Sequence, residues 1–153
     1  MQEGRSATIR PARIGEAAII AAIVNQAYAP YVARIGKPPG PMLDDYAQRV
    51  AAGQAWVLER DGEIIGILVL IEQSDQFLLD NVAVRPDCHG GGHGRALVAF
   101  AEDEARRRGW REIRLYTHAL MTENQAIYRR LGFVDTGRVT EKGYDRVYMT
   151  KAL

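Results

Sequence analysis

The chain has 153 residues, 47% of them hydrophobic, which fits one compact domain spanning residues 1–153. Twenty lysines and arginines against nineteen aspartates and glutamates leave a net charge of +1, which argues against binding nucleic acid through bulk charge. The N-terminus lacks an apolar signal core, no stretch approaches membrane-spanning length, and the lone Cys88 cannot form an internal disulfide. These features predict a soluble cytoplasmic protein with no nucleic-acid or membrane partner.

The first half of the chain predicts strands and helices in alternation, after a polar segment, residues 1–6, that is expected to be loose. Apolar residues at helical spacing indicate the first helix, and Pro30 is expected to end it. Asp61-Gly62 indicates a hairpin turn between two strands whose apolar residues alternate. The predicted strand, helix, loop, short helix and three further strands span residues 7–10, 14–28, 31–41, 42–52, 54–60, 63–71 and 77–84.

Four glycines follow the strand at 77–84 within a five-residue window: Gly90, Gly91, Gly92 and Gly94. The next residues, 95–108, predict a helix. Glycine lets the backbone approach a ligand, and the first turn of a helix has N–H groups without internal partners, so this pattern suits a phosphate. It is not a P-loop, because Gly94-Arg95-Ala96 lacks the lysine, and Arg95 also breaks the dinucleotide pattern. A simple turn, or a nucleotide-binding domain of another topology, remains an alternative.

The last third predicts a strand parallel to 77–84, with the intervening helix as the crossover. A helix with Thr122 as N-cap and a closing hairpin follow. The predicted elements span residues 111–116, 122–130, 133–140 and 144–151. The histidines and the cysteine do not show metal-ligand spacing, so no metal is expected.

Two segments resemble the GCN5-related N-acetyltransferase (GNAT) family. The string VAVRPDCHGGGHGRAL is similar to its acetyl-CoA-binding motif, although His89 stands where the family usually has glutamine or arginine. Residues 124–128 and Leu131-Gly132-Phe133 resemble its Asn-x-Ala-x-x-Tyr…Leu-Gly-Phe segment. The resemblance covers essentially the whole chain. It implies an α/β (α+β) fold: a mixed sheet of about six or seven strands with a splayed parallel pair, flanked by about four helices.

The resemblance also implies a reaction, in which an acetyl group moves from acetyl-CoA to a primary amine of a small molecule or peptide by direct attack in a ternary complex. Backbone groups of the splayed strand are expected to pair with the pantetheine arm, and the glycine loop with the pyrophosphate. The implied cofactor-binding residues are Val82, Ala83, Val84, His89, Gly90, Gly91, Gly92, His93, Gly94, Arg95, Asn124 and Tyr128. A non-catalytic acyl-CoA-binding or regulatory module is the alternative.

Tyr128 occupies the position of the family's general acid, and a phenol is protonated at neutral pH. The base stays open between Asp80, Asn81, His118 and a water molecule. The resemblance places the acceptor pocket beneath residues 31–46 and the closing hairpin, and two aspartates there hint at a cationic acceptor. The candidate acceptor residues are Tyr28, Tyr31, Arg34, Asp44, Asp45 and Tyr46. A homodimer is compatible with the family.

Overall fold

The computed structural model describes residues 7–153, so the loose segment predicted for residues 1–6 lies outside it. Across residues 7–153 the chain forms seven strands and four α-helices, together with short 3₁₀ turns. Their bounds are β1 Thr8–Pro11, α1 Ala17–Ile35, α2 Tyr46–Ala51, β2 Ala55–Arg60, β3 Glu63–Glu72, β4 Phe77–Val84, α3 His93–Arg107, β5 Glu112–His118, α4 Thr122–Arg130, β6 Val134–Glu141 and β7 Tyr144–Ala152.

The strands form one mixed sheet in the order β1-β2-β3-β4-β5-β7-β6. Neighbouring strands are antiparallel except for β4 and β5, which are parallel and are joined through α3. A parallel neighbour requires a crossover connection, and the helix predicted after the glycine loop supplies it. The predicted fold class, including the parallel pair, is confirmed.

Both faces of the sheet are covered, so β2 and β3 are buried in continuous runs rather than in the predicted alternation. One core contains Ile20 and Val24 of α1 with Val57 and Ile67 of the sheet. The other contains Leu97 of α3 with the opposite face of the same strands. A strand between two helical layers must be apolar on both sides, which is why alternation failed as a guide here.

β4 and β5 separate soon after they meet. Their only registered pair in the described chain is Leu78 with Arg114, although β4 continues to Val84 and β5 to His118. Beyond that pair, the backbone groups of β4 and β5 that face each other have no strand partner on that side. The predicted splay is therefore present, and it opens the sheet towards the glycine loop.

Three predicted helix boundaries were wrong. The short helix predicted for residues 42–52 begins only at Tyr46, with Asp45 as its N-cap, because residues 40–43 form a 3₁₀ turn. α1 passes through Pro30 and ends at Gly36, which adopts φ +89° as the C-cap. Proline removes one helical hydrogen bond, but the apolar face of α1 packs on the sheet on both sides of it, and tertiary packing outweighs that local loss. The N-cap of α4 is Met121 rather than Thr122, and no side chain caps that helix.

Candidate active site

A cleft of about 420 Å³ lies between the end of β4, the glycine loop, the start of α3 and one face of α4. We call it the glycine-loop cleft. Its lining includes Val82, Ala83, Val84, His89, Gly90, Gly92, His93, Gly94, Arg95, Asn124, Tyr128 and Arg130. The structure therefore brings together every residue predicted for the cofactor except Gly91, which lies in the same loop.

Backbone donors dominate this cleft. Within residues 7–153, none of the N–H groups from Gly90 to Arg95 has a hydrogen-bond acceptor, and α3 has no side-chain N-cap. Gly90 and Gly92 hold φ of +89° and +78°, which ordinary residues rarely adopt. A Cβ at either glycine, or at Gly94, would meet no atom within 4 Å, so the loop borders open space. This is a backbone cradle for an anion at a helix N-terminus.

Positive side chains add to the cradle. Arg60 of β2 reaches the loop, with Nη1 3.3 Å from Nε2 of His93 and Nη2 3.6 Å from Sγ of Cys88. Arg95 and Arg130 line the same cleft. The sequence analysis missed Arg60 and Arg130, because neither lies in the glycine motif and only the folded chain brings them to it.

The end of β4 directs backbone groups into the splay. The Arg85 N–H donates to the Ile65 carbonyl of β3. Alternate residues of an antiparallel strand bond to the same neighbour, so Ala83 bonds β3 whereas Val82 and Val84 face the gap beside β5. His89 occupies part of that gap, since its Nε2 lies 3.1 Å from the Val84 carbonyl oxygen.

A second cavity of about 340 Å³ lies between the α1–α2 segment, the ends of β4 and β5, and the β6–β7 hairpin. We call it the hairpin cavity. Its polar lining comprises Tyr28, Asp44, Arg49, Asp80, Asn81, Tyr116, Thr117, His118, Asn124, Tyr128, Lys142, Tyr144 and Arg146. Asn124 and Tyr128 line both cavities, so the two spaces meet at one face of α4.

A bulge places Asp80 at the hairpin cavity. Asn81 pairs with Val69 and Leu79 with Leu70, so Asp80 is the extra residue on β4. A bulge redirects the side chain of the residue it inserts. The carboxylate has no hydrogen bond within residues 7–153, and burial raises its pKa to about 6, opposed by the charges of Arg49 and Arg146.

Tyr128 lies at the junction with its hydroxyl free of any hydrogen bond to the described residues, and its ring packs edge-on against Phe133 at 5.8 Å between centroids. Burial raises the pKa of the phenol, so it is protonated across the physiological range. Asn124, one turn earlier on α4, is half-buried and likewise makes no hydrogen bond to residues 7–153. Both side chains are available to a ligand.

His118 also lines the hairpin cavity, but its ring is engaged. The Leu120 N–H donates to Nδ1 at 3.0 Å, so the neutral ring carries its proton on Nε2 and has no free lone pair. Burial lowers its pKa. The arrangement gives the cavity a hydrogen-bond donor at neutral pH.

Asn81 is held in a buried network. Its side-chain oxygen accepts from the Tyr28 hydroxyl at 2.9 Å, and its Nδ2 donates to the Tyr46 hydroxyl at 2.9 Å. Tyr46 in turn donates to the Pro41 carbonyl. The network ties α1, α2 and β4 together beside Asp80, so its polar groups position the cavity wall.

The predicted acceptor residues are divided by the fold. Tyr28 and Asp44 line the hairpin cavity, and Asp44 is paired with Arg49 at 2.9 Å. Asp45 instead caps α2 by accepting from the Gln48 N–H. Arg34 is paired with Glu123 at 2.7 Å, outside the cavity lining. The others outside that lining are Tyr31, half-buried beside Arg34, and Tyr46, buried in the network.

The residues of the hairpin cavity that sequence reasoning missed come mostly from strand ends and the closing hairpin: Arg49, Tyr116, Lys142, Tyr144 and Arg146. Arg146 of β7 stands opposite His118 of β5 in the sheet register. This register is what identifies Arg146 as a cavity residue, and it is known only once the pairing of β5 with β7 is known.

Within residues 7–153, no group of three histidine, cysteine, aspartate or glutamate side chains is placed to hold a metal ion. In the same part of the chain, no helix combines the length and apolarity needed to cross a membrane.

The splayed parallel strand pair and the glycine loop at a helix N-terminus are the two features that the resemblance to the GNAT family implies. A family model described as an acetyltransferase (GNAT) domain matches residues 51–135. The chain is 32% identical over 123 residues, 74% of each chain, to the uncharacterized N-acetyltransferase YjgM of Escherichia coli K12. The chain therefore belongs to the GCN5-related N-acetyltransferase family. This confirms the predicted enzyme class and its acetyl-CoA donor.

Solved structures share the fold. PaiA N-acetyltransferase from Thermoplasma acidophilum, in complex with coenzyme A, superposes with a TM-score of 0.79 at 19% identity, over 97% of this chain and 99% of that one. A GNAT family acetyltransferase from Elizabethkingia anophelis with acetyl-CoA bound gives 0.71 at 21% identity, over 96% and 98%. At such identities the likeness supports the architecture, and the site is argued from this chain's own residues.

Proposed function

We propose that this chain acetylates a primary amine that enters the hairpin cavity, while acetyl-CoA lies in the glycine-loop cleft. The observation that carries the proposal is the meeting of the two spaces at Tyr128 and Asn124. Donor and acceptor sites that share a wall allow direct transfer between two bound molecules. We also place the activity in the cytoplasm, in keeping with the free thiol of Cys88.

The glycine-loop cleft fits the cofactor in its charge and its donors. Within residues 7–153 the amides from Gly90 to Arg95 have no acceptor and can hold the pyrophosphate. Arg60 at the loop, with Arg95 and Arg130 of the cleft lining, supplies positive charge. Val82 and Val84 present backbone groups that suit the amides of the pantetheine arm, and the Val84 carbonyl must then exchange His89 for the ligand. Asn124 offers a further polar contact at the junction.

Bound acetyl-CoA supplies an activated acetyl group: a nitrogen–carbon bond forms as the carbon–sulfur bond breaks, and the electron pair of the broken bond leaves on sulfur. Tyr128 donates its phenolic proton to that sulfur. A phenol suits this role because burial keeps it protonated, while its hydroxyl makes no hydrogen bond to residues 7–153.

Asp80 takes the proton that the acceptor nitrogen loses, directly or through water. A carboxylate with a pKa near 6 is ionised at neutral pH yet basic enough to accept a proton. Asp80 has no hydrogen bond to the described residues that it would have to give up. His118 fits this role less well, because its Nδ1 already accepts from the Leu120 amide. We therefore assign the base to Asp80 and a hydrogen-bond donor role to His118.

The test is an acetylation assay that follows released coenzyme A thiol over polyamines, amino acids, aminoglycosides and N-terminal peptides. We expect saturable turnover with at least one of these acceptors. Tight coenzyme A binding without thiol release from any acceptor would instead favour the non-catalytic alternative. A thermal-shift titration in which ATP or NAD raised the melting temperature more than acetyl-CoA would contradict the donor assignment.

A further inference from the structure

Two side chains of opposite charge line the hairpin cavity without a short ion pair to any residue of the range 7–153. Asp80 makes no hydrogen bond to residues 7–153. Arg146 forms an ion pair with Glu141 at 3.7 Å, whereas Arg49 and Arg34 hold their carboxylates at 2.9 Å and 2.7 Å. Arg146 also contacts the Tyr148 hydroxyl. A guanidinium has several N–H groups, so these two contacts leave donors for a ligand.

Arg146 is built into the cavity wall. Its side chain is 15% exposed, and its guanidinium lies 4.3 Å from the centre of the Tyr116 ring. Stacking on an aromatic ring fixes the plane of the guanidinium, and a fixed guanidinium presents two parallel N–H groups that match a carboxylate. A mobile surface arginine would not offer such a defined fork.

The remaining charges in the cavity do not favour a purely cationic ligand. Asp44 is neutralised by Arg49 at 2.9 Å, so among the described residues that line the cavity Asp80 is the acid left to meet a cation. Arg146 and the exposed Lys142 at the hairpin turn bring positive charge to the same cavity, and Glu141 at 3.7 Å offsets the charge of Arg146 only in part. A polyamine would meet this repulsion as well as one favourable charge.

Asp80 and Arg146 influence each other electrostatically, yet within residues 7–153 they form no ion pair, so they lie beyond ion-pair distance in the cavity that both line. Tyr128 lines the same cavity at its junction with the glycine-loop cleft, and Arg146 lies on β7 of the closing hairpin. A ligand that bridges the two charges would have its ammonium at Asp80 and an anionic group against β7.

We propose that the acceptor is a small amino carboxylate such as a free amino acid, with its amine at Asp80 and its carboxylate at Arg146. This inference rests on the proposed function, and it narrows the acceptor from amines in general to amines that carry a carboxylate. Peptide N-termini, polyamines and simple alkylamines lack that group at short range and are poorer acceptors.

The experiment compares each free amino acid with its carboxamide, using kcat/KM corrected for the fraction of neutral amine. Alanine, alaninamide and ethylamine form one such series, and β-alanine and γ-aminobutyrate vary the spacing between the two charges. We expect the acids to exceed the amides by at least tenfold for the preferred side chain and spacing. Equal values for acids and amides throughout would overturn the inference.

Variants locate the effect. Arg146→Gln should abolish the preference for the acid, so that the ratio of kcat/KM between acid and amide falls to about one. The matched control is Arg138→Gln, which removes the same charge from an exposed position of β6 outside the cavity lining and should keep the preference. A preference that survives in Arg146→Gln would contradict the assignment. Should that variant fail to fold, the comparison of acid and amide in the unaltered protein decides alone.

A binding measurement separates this inference from the proposed function. Calorimetry with coenzyme A present should show N-acetylated amino acids binding at least tenfold more tightly than their amides, with that difference lost in Arg146→Gln. Selective binding without turnover of any amine would support the ligand class and overturn the catalytic proposal. Turnover with no selectivity for the carboxylate would support the catalytic proposal and overturn the inferred ligand class.

Discussion

The two spaces that meet at Tyr128 are built in opposite ways. The glycine-loop cleft uses backbone amides from six consecutive residues, 90–95, whereas the hairpin cavity uses side chains from α1, α2, β4, β5, α4 and the hairpin. Backbone donors at a helix N-terminus recognise the phosphates that every acyl-CoA shares. The side chains of the hairpin cavity come from distant segments, so a substitution there leaves the glycine loop unaltered. Donor binding therefore depends on one loop, whereas acceptor selectivity depends on residues from several helices and strands.

The largest expected effect is at Tyr128, where a substitution should lower turnover with little change in donor binding. Tyr128→Phe should lower kcat about 100-fold, because it removes the proton donor to sulfur, while the coenzyme A Kd changes less than threefold. Steady-state kinetics and calorimetry give the two quantities. Tyr116→Phe removes a hydroxyl from the hairpin cavity alone and should cost less than tenfold. If both variants lost turnover equally, Tyr128 would have no special role at the junction.

Asp80→Asn should affect only the acceptor side. We expect kcat/KM for the amine to fall by about tenfold to 100-fold, because the base is lost. In the unaltered protein kcat/KM, corrected for the fraction of neutral amine, should rise with pH through about 6 as the carboxylate ionises. That limb should be absent from the variant's pH profile. A limb near pH 6 that persisted in Asp80→Asn would assign the base to another group.

Gly92→Ala should affect only the donor side. A Cβ there enters the open space of the cradle and strains a backbone at φ +78°, so the coenzyme A Kd should rise about fivefold to tenfold. Gly53→Ala is the matched control, since Gly53 has φ +71° and equally open surroundings between α2 and β2. Both variants should lose about 1 kcal/mol of stability. Equal coenzyme A affinity in the two variants would contradict the cradle.

A separate effect concerns stability rather than activity. A carboxyl whose pKa is raised by folding binds its proton more tightly in the folded chain, so its contribution to stability falls as pH rises from about 4 to about 6 and then stays low. Asp80→Asn should therefore raise the free energy of unfolding at pH 7 by up to about 3 kcal/mol, the equivalent of roughly two pKa units. Urea unfolding at pH 7 and at pH 4 measures this gain, which should vanish at the lower pH. A destabilised variant at pH 7 would mean that Asp80 serves the fold.

The same division explains what could be predicted from the sequence. The strand at 77–84 and the glycine loop are encoded within one continuous stretch, and both were predicted where the structure has them. The hairpin cavity depends on strand register. Arg146 reaches it because β7 pairs with β5, and Asp80 because a bulge inserts it into β4. Neither the β5–β7 register nor the β4 bulge can be recognised from the amino acids adjacent to it in the sequence.

The helical segment before the cavity shows the same limit. Local chemistry placed the end of α1 at Pro30, but packing of its apolar face carried the helix on to Ile35. That extension puts Arg34 beside Glu123 rather than in the cavity lining. Of the two adjacent aspartates, one caps α2 and the other neutralises Arg49. Their roles depend on where the helix begins, which the sequence placed only approximately.

A crystal structure of the protein with coenzyme A and an N-acetylated amino acid tests the central claim most directly. The pyrophosphate should accept hydrogen bonds from amides within residues 90–95, and the sulfur should lie within about 3.5 Å of the Tyr128 hydroxyl oxygen, on the side facing Asp80. A pyrophosphate bound elsewhere, or a sulfur directed away from Tyr128, would contradict the account.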